Sequence, residues 1–252
     1  MQPHENLVKT DMYRAIFIDI DDTLLDYIPC CREAFDFALT QISNHPSQIT
    51  NEEELFELFF SISGRLFSEA KRGLHTVAEV MDLYPREFVE RMNELTNERV
   101  SELEIEQMTD TFKHAFRAAW GKTHTLVPHA QETLEALHAK GYRLFAASNS
   151  FGHLQRSRLE HAGILRFFED TFISMDLGYD KPDILFYQEA LRRCNLSPEE
   201  VIMVGDSMTT DVLGAQAAGI EAIYFNRHNE PLINQQSSIT VISSLPELLK
   251  YI

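Results

Sequence analysis

The chain has 252 residues, 44% of them apolar, and sets 39 Asp and Glu against 22 Lys and Arg, a formal net charge of −17. That length suits one domain with a sizeable insertion, or two small domains, around a real core, and so acidic a surface disfavours nucleic acid and anionic membranes as partners. No run approaches the ~20 apolar residues that span a bilayer, MQPHENLVKTDM lacks the basic-then-apolar order of a signal peptide, and three cysteines, two of them adjacent at Cys30 and Cys31, make a poor disulfide framework, so a reduced cytoplasm is the expected home.

The first expected element is a buried strand over Tyr13–Ile20. The stretch at its end is unusual: Asp19, Asp21, Asp22 and Asp26 fall within eight positions, and carboxylates that close repel one another unless something positive sits among them. A calcium loop counted from Asp19 would need Gly at its sixth position and Glu at its twelfth; the chain has Leu24 and Cys30 there, so that reading fails. Asp22 or Asp26 suits an acidic helix cap, whereas Asp19 comes directly after the buried-looking Phe17-Ile18. In parallel α/β sheets ligands collect at the carboxyl ends of strands, which is where this reading places Asp19.

From about Pro29 to Gly121 the pattern is helical with no clear strand. NEEELFELFFSISGRLFSEA, PREFVERMNEL and SELEIEQMTDTFKHAFRAAW place apolar residues at helical spacing, with acids at their starts. From His129 the texture alternates. PHAQETLEALHAKG is a helix ended by Gly141 as its C′ residue, followed by YRLFAAS as strand, FGHLQRSRLEHAG as helix, TFIS as strand and KPDILFYQEALRRC as helix. VIMVGD (strand), SMTTDVLGAQAAG (helix) and EAIYF (strand) come next, and ITVISSLPELLKYI reads as a last strand and closing helix. Short continuous apolar strands alternating with helices predict an α/β fold, a parallel sheet covered on both faces, with the helical stretch inserted after its first strand.

Three further stretches lie at expected strand ends. Ser148-Asn149 offers a hydroxyl, an amide and backbone N–H groups beside a helix start, which favours an anion, although N-capping accounts for the same residues. In YDKPDILF, Pro182 suits a first helical turn and puts Lys181 at the positive end of that helix, disfavoured by several tenths of a kcal/mol at an exposed site; a negative partner is needed, either Asp180 or Asp183 or a phosphoryl group. In VIMVGDSMTTD, Gly205 permits close approach, Asp206 stands at a second strand tip and Asp211 in the following helical turn.

Taken together, Asp19-Ile-Asp21-Asp-Thr23-Leu, Ser148-Asn149, Lys181-Pro182 and Gly205-Asp206-Ser-Met-Thr-Thr-Asp211 resemble, in order and spacing, motifs I to IV of the haloacid dehalogenase-like hydrolase superfamily. The resemblance covers essentially the whole chain. It implies a Rossmann-like parallel-sheet core over residues 1–27 and 123–252, and an all-α cap inserted as residues 28–122. It also implies a mechanism: Asp19 as nucleophile forming an aspartyl-phosphate, and Asp21 as general acid and then general base. A Mg²⁺ ion would be held by Asp19, the backbone carbonyl of Asp21 and Asp206, with Asp211 ordering its surroundings. Ser148, the groups around Asn149, and Lys181 would bind the phosphoryl oxygens.

Carbon–halogen hydrolysis is rejected on chemistry, since halide leaves without a proton and needs neither an acid at position 21 nor a metal. The texture of SNSFGHLQRSRLEHAGILRFFED and GYDKPDILFYQEAL, and Asp22 itself, is similar to the pyrimidine 5′-nucleotidase branch. The expectation is therefore Mg²⁺-dependent hydrolysis of a small phosphorylated metabolite, a pyrimidine nucleoside 5′-monophosphate foremost, by a monomer or homodimer. A phosphatase for glycolate or sugar phosphates and a sugar phosphomutase are the alternatives; a non-catalytic binder fits poorly with a full catalytic set. Phe60, Arg65, Phe67, Lys71, Arg72 and His75 are candidates for meeting a base or sugar, with helix core or solvated surface as the plainer reading. His124, His129, His138, His153 and His161 lack metal-ligand spacing and read as surface or packing residues.

Overall fold

The structure is a computed structural model that describes residues 13–42, 51–95, 100–231 and 239–252. The chain divides into two compact units. One comprises Met1–Asp26, Leu126–Gly152 and Ala162–Ile252; the other comprises Tyr27–Thr125 and His153–His161.

The first unit is built on a six-stranded parallel sheet in the order β3-β2-β1-β4-β5-β6. The strands are β1 (Ala15–Ile18), β2 (Arg143–Ser148), β3 (Asp170–Ile173), β4 (Val201–Gly205), β5 (Glu221–Phe225) and β6 (Thr240–Ile242). β1 lies at the centre, its Ile18 level with Ala146 of β2 and Val204 of β4, so the residues just beyond those three converge on one edge of the sheet. Both faces are buried. Ala15 and Phe17 pack with Phe186, Tyr187 and Ala190, while Ile16 and Ile18, on the opposite side of the pleat, are 0% and 2% exposed. Burial on both sides is why these strands are continuous apolar runs rather than alternating ones. Phe17 stands edge-on to Phe145 and Phe172, at 5.7 and 5.3 Å between ring centroids, each such pair contributing about 0.5–1.5 kcal/mol beyond its buried area.

The helices of this unit are α5 (Ala130–Ala139), α7 (Ser174–Leu177), α8 (Ile184–Cys194) and α9 (Gly214–Ala217), with the start of α6 (Gly152–His161). Gly141 has φ of 87° and comes after the C-cap Lys140 of α5, the left-handed ending expected of it. The short α7 was not anticipated from the sequence. Strand β1 is shorter than the expected Tyr13–Ile20. The chain turns after Ile18, Leu24 and Leu25 both donating their amides to the Ile20 carbonyl at 2.9 and 2.8 Å. The C-terminal helix is a 3₁₀ segment, Leu245–Lys250, rather than an α-helix.

The second unit contains α1 (Tyr27–Gln41), α2 (Glu52–Lys71), α3 (Val77–Glu94) and α4 (Glu102–Trp120). Caps define its helices: Asn51 caps α2, and Thr76-x-x-Glu79 and Ser101-x-x-Glu104 close reciprocal boxes on α3 and α4. Its core is aromatic, with Phe35, Phe59, Phe88 and Phe112 all at 0–1% exposure and ring centroids 5.0–6.0 Å apart. Cys30 and Cys31, and Cys194 of the other unit, are buried. Among the described residues no helix is long and apolar enough to cross a membrane.

Candidate active site

The site is built at the carboxyl edge of the sheet unit. Asp19, one residue beyond β1, donates its amide to the Val204 carbonyl at 2.9 Å, so the ladder fixes its backbone before the chain turns. The residue is 7% exposed. Thr23, fully buried, returns toward the β4 tip: its hydroxyl accepts from the Asp206 amide at 3.1 Å and donates to Asp206 Oδ1 at 3.5 Å. The turn after β1 and the tip of β4 are thus tied together.

Lys181 supplies the charge that lets these acids coexist. Its Nζ, on a side chain 1% exposed, donates to Asp19 Oδ1 at 2.7 Å, Asp211 Oδ1 at 2.6 Å and the Ala147 carbonyl at 2.7 Å. Three acceptors match the three protons of an ammonium. The backbone of Lys181 is held as firmly, since Asn149 Oδ1 accepts from its amide at 2.7 Å and Asn149 Nδ2 donates to its carbonyl at 2.8 Å; the Lys181–Pro182 bond is cis.

Asp211 reaches the cluster by an unusual local backbone. Residues Met208–Leu213 form a π-helical segment that buries Thr210, Asp211 and Val212 in succession, and α9 continues it. Asp211 Oδ2 accepts from the Ser207 amide at 2.9 Å. A Cβ on Gly205 would lie 2.4 Å from Asp211 Cγ and 2.3 Å from its Oδ2, so the missing side chain makes room for that carboxylate. The Tyr187 hydroxyl donates to the Thr210 carbonyl, and burial holds this phenol above its ordinary pKa, so it stays a donor.

The Asp19 carboxyl is raised to about 7, the net result of burial and the charges of Asp211 and Asp21, which push it up, against Lys181, which pulls it down. Burial works against the Lys181 ammonium, but Asp19 and Asp211 beside it hold it well above the usual lysine value. One oxygen from each of Asp19, Asp206 and Asp211 lies within 4.8 Å of the others. Three carboxylates against one ammonium leave negative charge in excess in a buried place. An all-oxygen anionic donor set is the kind that hard divalent cations such as Mg²⁺ take, so the residues fit such an ion.

The structure brings together Asp19, Lys181, Asp206 and Asp211, with Ser148, 2% exposed, at the end of β2. Asp21 is partly buried two residues after Asp19, near enough for its charge to act on that carboxyl. Three sequence readings are corrected. Helix α8 starts at Ile184 with Asp183 as its cap, Asp183 Oδ1 accepting from the Leu185 amide; Pro182 therefore precedes the cap instead of entering the first turn, and Lys181 stands two residues before the cap. The partners of Lys181 are Asp19 and Asp211 rather than Asp180 or Asp183. Ser148 and Asn149 do not cap α6, which begins at Gly152, and the Asn149 side chain is spent on the Lys181 backbone.

Sequence reasoning missed Tyr187 and Arg227. Arg227 Nη2 pairs with Asp22 Oδ1 at 2.9 Å and Asp26 Oδ1 at 2.6 Å, so both acids pair with a cation, and Asp26 directly precedes α1. In the helical unit, Arg65 pairs with Glu69 at 3.1 Å and with Glu87, and His75 approaches Glu69 at 3.5 Å. Phe60 packs on Phe56, 5.7 Å between centroids.

The family model of haloacid dehalogenase-like hydrolases matches residues 13–219. The chain is 30% identical over 215 residues to glyceraldehyde 3-phosphate phosphatase of Methanothermobacter thermautotrophicus, covering 85% of this chain and 86% of that one. It is 27% identical to pyrimidine 5′-nucleotidase PynA of Streptococcus pneumoniae over 238 residues, 94% of each chain. Among solved structures, the HAD-hydrolase YfnB of Bacillus subtilis bound to magnesium superposes with a TM-score of 0.77 at 24% identity, covering 95% of this chain and 98% of that one.

Proposed function

Because the chain belongs to the haloacid dehalogenase-like hydrolase family and, with its nucleotidase relatives, is a phosphoric monoester hydrolase, we propose that it releases inorganic phosphate from a small monoester by way of an aspartyl-phosphate on Asp19. The observation that carries the proposal is the cluster of Asp19 and Asp206, at neighbouring strand tips, with Asp211 of the π-helical segment, Lys181 Nζ bonding Asp19 and Asp211. An Asp19 oxygen attacks phosphorus as the bond to the leaving oxygen breaks, and Asp21 gives that oxygen its proton. A water then attacks phosphorus, Asp21 takes a proton from it, and the bond to Asp19 breaks to return the carboxylate and free phosphate. The Ser148 hydroxyl holds a phosphoryl oxygen, Lys181, its three protons given to Asp19, Asp211 and the Ala147 carbonyl, attracts the phosphoryl group through its charge, and Asn149 serves by fixing the Lys181 backbone. Asp19, Asp206 and the backbone carbonyl of Asp21 would hold Mg²⁺, whose positive charge offsets the carboxylates and polarises the phosphoryl group. Both Asp211 oxygens are engaged, by Lys181 and by the Ser207 amide, which suits a role in ordering the surroundings of the metal rather than in holding it directly.

The preferred substrates in this reading are pyrimidine nucleoside 5′-monophosphates, supported by relatives of that activity over nearly the full length: PynA, and YjjG of Escherichia coli, 25% identical over 92% of this chain. The glyceraldehyde 3-phosphate phosphatase at 30% identity favours a second reading, a phosphatase for triose or sugar phosphates. A panel of phosphate esters assayed with Mg²⁺ and with chelator separates them. Deoxynucleotide monophosphates among the best substrates are expected, with turnover lost on chelation and in D19N. Flat activity across the panel overturns the nucleotidase assignment, and unchanged turnover in D19N overturns the phosphatase mechanism.

A further inference from the structure

We infer that Arg227 is a positioning residue for the turn that presents Asp21, acting by bridging Asp22 and Asp26; the inference rests on the phosphatase reading above. Three carboxylates come after Asp19 within seven residues, and mutual repulsion would spread them. The turn is nonetheless compact. Asp22 adopts a left-handed conformation, φ 60°, and donates its amide to the Leu25 carbonyl at 2.8 Å, while Asp21 pairs with Leu25 across an isolated bridge. A non-glycine residue in that conformation costs on the order of 1 kcal/mol and persists only where its surroundings hold it.

The holding contact comes from far along the chain. Arg227 lies just after β5, where the Asn226 amide donates to the Ile242 carbonyl at 2.8 Å. The Asn226 side chain accepts from the Glu230 amide at 2.8 Å and donates to the Glu230 carbonyl at 2.9 Å. That clamped loop presents the guanidinium from a fixed base. Both ion pairs use one nitrogen, Nη2, and Nε donates to His228 Nε2 at 3.0 Å. The guanidinium side chain is 14% exposed and its partners 22% and 24%, so the bridge is screened less than a surface pair. His228 Nε2 lies 3.6 Å from Asp22 Oδ2 and is a further titratable group facing the bridge. Asp21 lies between Asp19, fixed by the sheet, and Asp22, fixed by Arg227.

Because one nitrogen serves both carboxylates, an ammonium can stand in for the guanidinium in part. The test uses the full chain with p-nitrophenyl phosphate and Mg²⁺ for turnover, and amide hydrogen exchange of the 19–26 segment without metal or substrate. R227Q is expected to lower kcat about tenfold or more with KM changed less than about threefold, and to speed exchange in that segment. R227K is expected to restore a substantial part of both. D26N, which cuts one arm of the bridge, is read the same way if R227Q does not fold. Turnover and exchange in R227Q equal to the wild type overturn the inference, as does R227K falling as far as R227Q. A wild type without turnover defeats the phosphatase reading instead, and the exchange result still decides whether Arg227 holds the turn.

Discussion

Two cations in the sheet unit each bridge two aspartates, and they do so in different surroundings. The Lys181 side chain is 1% exposed and those of its partners Asp19 and Asp211 are 9% and 1%; the side chains of Arg227 and its partners are 14–24% exposed. Buried, an ion pair carries a desolvation penalty that only close geometry and further hydrogen bonds offset, and removing one partner leaves a stranded charge. Lys181 meets that demand with a third acceptor, the Ala147 carbonyl, and a backbone clamped by Asn149. Arg227 works where water still reaches, and removing it relaxes a turn without stranding a charge in the dry interior. The difference separates a cation on which the site's charge balance depends from one that shapes the approach to it.

The largest effect belongs to Lys181. K181M should abolish phosphate release and destabilise the metal-free protein by about 3–5 kcal/mol, read by urea denaturation. A loss no greater than that of R227Q would erase the distinction between the two bridges.

Next comes the pH dependence of the metal-free protein. The folded Asp19 carboxyl is raised to about 7 from 3.8, so between those values the folded state binds more protons than the unfolded one, and stability falls as pH rises through that window. D19N lacks this contribution. Denaturation in chelator should show the variant gaining on the wild type from pH 4 to pH 7 and holding the gain above, whereas parallel curves would mean that Asp19 ionises without cost.

G205A sharpens the same point by geometry. Its Cβ would displace the Asp211 carboxylate from Lys181, with an expected cost of about 1–3 kcal/mol and a fall in kcat larger than any change in KM. The smallest effect is expected at Arg86, whose pairs with Glu90, 2.7 Å away, and Glu102 are exposed; R86Q should leave the urea midpoint where it is in the wild type.

Much of the sheet was readable in the sequence because burial on both faces leaves no room for polar residues, and Ile16-Phe17-Ile18 and Val201–Val204 declare themselves as apolar runs. Asp19, Ser148 and Asp206 drew notice because they stand at or just after such runs, and Lys181 and Asp211 because they lie on the segments that follow them. The part that escaped was tertiary. Lys181 finds Asp19 162 residues away and Arg227 finds Asp22 205 residues away, and no local pattern marks either pairing. The helix expected over SMTTDVLGAQAAG exists, yet its first half takes the wider π turn, which hydrophobic spacing over six residues does not separate from an α turn. Asp183 won the cap of α8 from the segment before it because its side chain meets the Leu185 amide, a competition that the Pro182 signal alone does not decide.

That wider turn has a consequence for how the chain tolerates change in length. Successive residues of an α-helix point about 100° apart, so three neighbours in a row do not share one face, yet Thr210, Asp211 and Val212 are all buried. The stretch behaves as a coil wound one residue too loosely, pinned where the Tyr187 hydroxyl catches the Thr210 carbonyl. Excising a single residue between Met208 and Leu213 would let it spring to the tighter winding and swing the carboxylate off its lysine with every neighbouring side chain intact, so spacing here is as much a part of the chemistry as composition.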